Sequence, residues 1–136
     1  MNLKDYITEY VSSGRGMKWV EITKKSSMDD IIKCLDMIGA KEVDDHEFDE
    51  SGMSKSDKDM IIYTAGDWNE YWKKPYICVL VKKNGRLNTF DIVFSDDKEQ
   101  IAAIIVCDGD RYDSIDIIML NDKMEKKLDF MNKCLN

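Results

Sequence analysis

Tyr76-Ile-Cys-Val-Leu-Val-Lys-Lys-Asn-Gly-Arg-Leu-Asn-Thr-Phe-Asp-Ile-Val-Phe94 is the stretch that decides how the rest of the chain must fold. Two β-rich runs flank Asn84-Gly85. A two-residue loop of that composition is a strong hairpin signal, because both central residues must take φ > 0. The turn sets a register in which Lys83 faces Arg86, Val81 faces Asn88, Val79 faces Phe90 and Ile77 faces Ile92. One face then carries Ile77, Val79, Val81, Phe90, Ile92 and Phe94, and the other Tyr76, Cys78, Leu80, Thr89, Asp91 and Val93. A nearly all-apolar face backed by a mixed one predicts a sheet with one side on a core and the other partly wet. A slip of one residue would turn the apolar set the wrong way, so the register is strongly specified.

Beyond the hairpin, Ser95-Asp-Asp-Lys-Glu99 leads into Gln100-Ile-Ala-Ala-Ile-Ile-Val-Cys107. Asp96 with Glu99 has the form of a capping box opening a helix. The β-rich Ile104-Ile-Val-Cys107 and the turn-like Asp108-Gly109 favour a strand instead, with Tyr112 to Leu120 as its partner. Residues 121–134 close the chain as a helix with Met124, the Lys127 stem, Leu128, Met131 and Leu135 inward.

Before the hairpin, residues 2–13 predict a first helix from the spacing of Leu3, Tyr6, Ile7, Tyr10 and Val11. Met17 to Thr23 alternates and reads as a short strand. A second helix spans residues 27–38, capped by Ser26 or Ser27, with Asp29 and Asp30 in its first turn and Gly39 as its stop. A long acidic stretch from Asp44 to Asp59 reads as a loop. Residues 59–65 read as a further strand. Gly66 to Pro75 then places Trp68, Tyr71 and Trp72 between two strands. The expectation is a single α+β domain over residues 1–136. It has a mostly antiparallel sheet of five or six strands, a meander from 59 to 120, with three helices (2–13, 27–38, 121–134) packed mainly on one face.

A chain of 136 residues with 43% hydrophobic content supports one core without staples. No apolar run reaches the roughly 18–20 residues that span a bilayer. The polar start Met1-Asn-Leu-Lys-Asp-Tyr6 has neither signal-peptide nor transit-peptide character. These features predict a cytoplasmic protein with no membrane partner. Cys34, Cys78, Cys107 and Cys134 are widely spaced with no C-x-x-C and only one His to help them, which favours small buried hydrophobes over a zinc site. No cofactor or metal is predicted.

The net charge of −7 is uneven: residues 44–59 carry net −5 and residues 91–116 net −6, leaving the remainder at +4. Charge gathered this way steers partners. It disfavours nucleic acid, whose binding rests on Lys and Arg neutralising phosphates.

Catalytic constellations are weak. His46 lies within Asp44-Asp-His-Glu-Phe-Asp-Glu50 with no element to converge its neighbours, so a solvated acidic loop is the simpler reading. Asp108-Gly-Asp-Arg-Tyr-Asp113 has alternating acids, but Asp113 stands where an EF-hand loop needs Gly. No nucleophile motif is present, and no catalytic residue is predicted. Trp68, Tyr71 and Trp72 beside Lys73 and Lys74 have the composition of an interface anchor, against the plainer alternative of a cap on the core.

The leading expectation is therefore a small acidic binding protein of the inhibitor, immunity or mobile-element accessory type. Its partner would be basic, a nucleic-acid-handling protein or a toxin. The predicted contact residues are Asp44, Asp45, Glu47, Asp49, Glu50, Trp68, Tyr71, Trp72, Asp96, Asp97, Asp108 and Asp110. Two readings compete with it: a carboxylate-based metal-dependent enzyme, and a single-strand binder using Trp68 to Lys74 with Lys82, Lys83 and Arg86.

Overall fold

A computed structural model describes residues 20–49, 58–108, 117–118 and 123–136. Six strands form one sheet in the order β1 to β6: β1 (Lys41–Glu42), β2 (Met60–Gly66), β3 (Tyr76–Lys83), β4 (Arg86–Phe94), β5 (Ile101–Asp108) and β6 (Ile117–Ile118). Strands β2 to β6 are an antiparallel meander, and β1 adds a short parallel edge beside β2. The helices are α1 (Met28–Met37), α2 (Asp45–Asp49) and α3 (Met124–Leu135). The chain is α+β. The expected helix over 2–13 lies outside the described residues.

The β3–β4 hairpin has the register set by its turn: Lys83 opposite Arg86, Val81 opposite Asn88, Val79 opposite Phe90 and Ile77 opposite Ile92. Asn84 at φ 52° and Gly85 at φ 78° supply the left-handed pair that the two-residue loop demands. Ile77, Val79, Val81, Phe90, Ile92 and Phe94 are all buried in one core. There they meet Ile31, Cys34 and Leu35 of α1 and Leu128, Met131 and Leu135 of α3.

Local sequence explains α1 and the placement of α3. Ser27 accepts the Asp30 amide and caps α1, Asp29 and Asp30 suit the positive end of its dipole, and Gly39 at φ 85° ends the run. Helix α3 runs over 124–135, and Lys127 spans the core edge to donate from Nζ to the Ile104 carbonyl at 3.0 Å.

Several local expectations change in the fold. The second face of the hairpin is dry, because Tyr76, Cys78, Leu80, Thr89, Asp91 and Val93 are all buried. Phe48 of α2 packs there, with Val43, Trp72 and Leu87 at its margin. The acidic stretch expected to be a loop thus contains a short helix, which brings one apolar side chain onto the sheet. Of the strand expected over 17–23, residues 17–19 lie outside the described residues, and 20–23 is extended and alternates in burial but joins no strand. The Val20 and Ile22 backbone groups bond the side chains of Asn136 and Asn132 instead. The region after β4 is a turn followed by a strand from Ile101, the reading that its β-rich composition favoured over a helix. Cys107 faces Ile117, a register that a two-residue loop at Asp108-Gly109 cannot produce.

Candidate functional site

The β2–β3 connection and the β4–β5 turn meet at one end of the sheet. Asn69 organises the first of these. Its Oδ1 accepts the amides of Tyr71 (2.8 Å) and Trp72 (3.2 Å), and its own amide donates to the Lys74 carbonyl (3.0 Å). Lys73 takes φ 57° to complete the bend. An Asn that bonds its own backbone two and three residues on is a local turn device, and Asp67-Trp-Asn-Glu70 carried that signal in its composition. The result is a braced loop on which Trp68 is 60% and Tyr71 86% exposed.

Trp72 turns inward. Its ring stands edge-on to Tyr71 with centroids 6.1 Å apart, and tilted against Tyr76 at 6.0 Å. Tyr76 is buried, and its hydroxyl donates to the Asp45 carboxylate at 2.9 Å from Oδ2. Thr64 also donates to Asp45 Oδ1, at 3.2 Å. Gly66 makes this arrangement possible. A Cβ there would lie 2.7 Å from Tyr76 Cε1, so the phenol ring occupies the space a side chain would fill.

Asp45 begins α2, so its two hydrogen bonds fix that helix against the sheet. Beside it, Glu42, Val43, Asp44, Asp45, Thr64 and Ala65 line an open groove of about 540 Å³. Three of the six side chains are acids. From this groove a continuous path of contacts runs through Tyr76 and Trp72 to the exposed Tyr71 ring.

The β4–β5 turn is built by its acids. Asp97 accepts the Ser95 hydroxyl (2.7 Å) and the Glu99 amide (3.0 Å). Those bonds, the Ser95 hydroxyl foremost, hold its carboxyl below the usual range. Ion pairs tie the turn to the aromatic loop: Lys74 to Asp96 at 2.9 Å and Lys98 to Asp67 at 2.5 Å. All four side chains are well exposed, so each pair contributes little to stability. They do reduce the negative potential of this end.

The sequence-predicted contact residues therefore divide. Asp44, Asp45, Trp68, Tyr71, Trp72, Asp96 and Asp97 gather at one end of the sheet. Asp108 pairs with Asn88 towards the opposite end of β5, on the order of 20 Å away at roughly 3.3 Å per strand residue. Among the described acids of this stretch, Asp96 and Asp97 thus sit at one end of β5 and Asp108 at the other. The side chains of Glu47 and Asp49, and Glu50 and Asp110 entirely, lie outside the described residues. Sequence reasoning missed Gly66, Thr64, Asn69 and Tyr76 as the parts that position this end.

Cys34, Cys78 and Cys107 are buried, Cys134 is partly exposed, and all four are free thiols. Among the described residues, no three His, Cys, Asp or Glu side chains converge as metal ligands would, and no helix is long and apolar enough to cross a membrane. No family model matches the chain, and comparison with curated proteins and with solved structures finds no match.

Proposed function

We propose that this chain is a binding protein that engages a basic protein partner through the end of the sheet bearing Trp68, Tyr71 and the acidic groove. The observation that carries the reading is the pair of large aromatics held exposed on a loop braced by Asn69. An exposed ring on a rigid loop loses little freedom when it is covered, which is what an interface anchor requires. Glu42, Asp44 and Asp45 in the adjoining groove, together with the net charge of −7, supply attraction for Lys and Arg on the partner. Asp96 and Asp67 each pair with a lysine, which reduces the field at the β4–β5 turn. Compact acidic proteins that bind this way include inhibitors, immunity proteins against toxins and accessory proteins of mobile elements, and the proposal places this chain among them.

The test uses the whole protein as bait, beside a Trp68→Ala/Tyr71→Ala variant, at low and at high salt. A basic protein captured by the wild type, lost with the variant and weakened about tenfold or more by salt supports the proposal. An acidic partner, capture independent of salt, or equal capture by the variant overturns it.

A further inference from the structure

Val20 and Ile22 lie in the core on an extended segment that does not belong to the sheet. Each is 1% exposed, yet their backbone groups are held by two side-chain amides, those of Asn132 in the last turn of α3 and of Asn136 at its C-cap. Asn136 Oδ1 accepts the Val20 amide (2.7 Å) and its Nδ2 donates to the Val20 carbonyl (2.8 Å). Asn132 does the same for Ile22, at 2.8 and 3.0 Å. A carboxamide presents one donor and one acceptor side by side, which matches the N–H and C=O that an extended residue turns to one side. Two Asn at i and i+4 on a helix therefore reproduce a short stretch of strand edge. Beyond Ile22 the chain turns at once: Thr23 donates to the Ser26 hydroxyl (3.0 Å), and the Ser26 amide donates back to the Thr23 carbonyl (2.9 Å). Ile22, Thr23, Leu128 and Asn132 line a groove of about 450 Å³ between the segment and the helix.

We infer that residues 20–23 form a strap that opens from α3 while the sheet stays folded, with Asn132 and Asn136 as its two clasps. The β3 and β4 amides belong to strands laddered on both sides and open only with the whole sheet. The clasp bonds instead end on two side chains, and releasing them leaves every ladder bond in place. Opening widens the groove over Leu128 and bares Ile22, so the strap controls access to apolar surface on this side of the molecule.

Native-state hydrogen exchange of the full chain, followed across low denaturant concentrations, tests this. The Val20 and Ile22 amides should exchange at least tenfold faster than those of Val79 and Phe90, with a flatter dependence on denaturant. Asn136→Asp keeps the shape but replaces the donor with an acceptor that faces the Val20 carbonyl. It should speed exchange at Val20 and Ile22 a further tenfold while Val79 changes less than twofold. Equal rates and slopes for Val20, Ile22, Val79 and Phe90 in the wild type overturn the inference. So does an Asn136→Asp protein in which Val20 exchange is unchanged.

Discussion

Gly66→Ala should destabilise the protein, and the cost should vanish when Tyr76 is made small. An added methyl would lie 2.7, 2.9 and 3.0 Å from Cε1, the hydroxyl oxygen and Cζ of Tyr76. Carbon atoms rest about 3.5–4.0 Å apart, so the ring must move by roughly 1 Å. It has little room, being buried, packed on Trp72 and bonded to Asp45. Overpacking of this kind costs about 1–3 kcal/mol, and loosening the phenol–carboxylate bond adds about 1 kcal/mol. Replacing Gly by Ala within a strand returns about 0.5–1 kcal/mol. The net expectation is a loss of about 1–3 kcal/mol in urea unfolding with an unchanged slope. In a Tyr76→Val background the obstacle is gone, and the same change should stabilise by about 0.5 kcal/mol. The inversion of sign is the decisive readout. A neutral or stabilising Gly66→Ala in the wild type, or an equal cost in both backgrounds, would refute the account of how Tyr76 seats α2.

Other expectations concern exposure, ionisation and the turn. Trp68→Ala/Tyr71→Ala should change unfolding free energy by less than about 0.5 kcal/mol per site, because neither ring supports the core; thermal melts that show a larger loss would assign these rings to the fold. Burial pushes the Cys34 thiol up to about 12 from its ordinary 9.0, with Asp30 adding to the shift. Burial, then the Asp36 hydrogen bond, likewise raises Tyr63. Both folded values exceed the unfolded ones, so the stability these groups lend is complete below about pH 9 and is lost as pH climbs towards about 12. Melting temperature should therefore fall steadily above about pH 9, and less steeply in Cys34→Ala; equal slopes would remove Cys34 as a cause. Gly85→Ala should cost about 1 kcal/mol purely through its φ of 78°, since nothing lies within 4 Å of the added methyl. Gly85→Asn should cost less, and equal losses in denaturant melts would point to another cause.

Much of the fold was legible because its signals are local. Asn84-Gly85 sets hairpin register through backbone angles, and the alternation on either side agrees with it, so four cross-strand pairs follow from adjacent residues. Ser27, Asp29, Asp30 and Gly39 mark the ends of α1 in the same way. The candidate site was legible only in part. Trp68 and Tyr71 stand out by size and neighbourhood, but whether a ring faces water or core depends on what the loop packs against. Asp45 and Asp44 are adjacent and chemically identical, yet Asp45 is bound by Thr64 and Tyr76, which lie 19 and 31 residues away.

From its residues alone the chain determined a meander around one hairpin, a helix from Met28 and a helix that presents Leu128 and Met131 to the core. These rest on turn angles, caps and periodicity, all of which act within a few residues. Tertiary structure decided that Asp91 and Thr89 are buried, that Asp96 and Asp108 lie at opposite ends of β5, and that Val20 and Ile22 are held by amides more than a hundred residues distant. Burial, ion pairing and long-range hydrogen bonds depend on which surfaces meet once the sheet has formed, and no short window of sequence contains both partners.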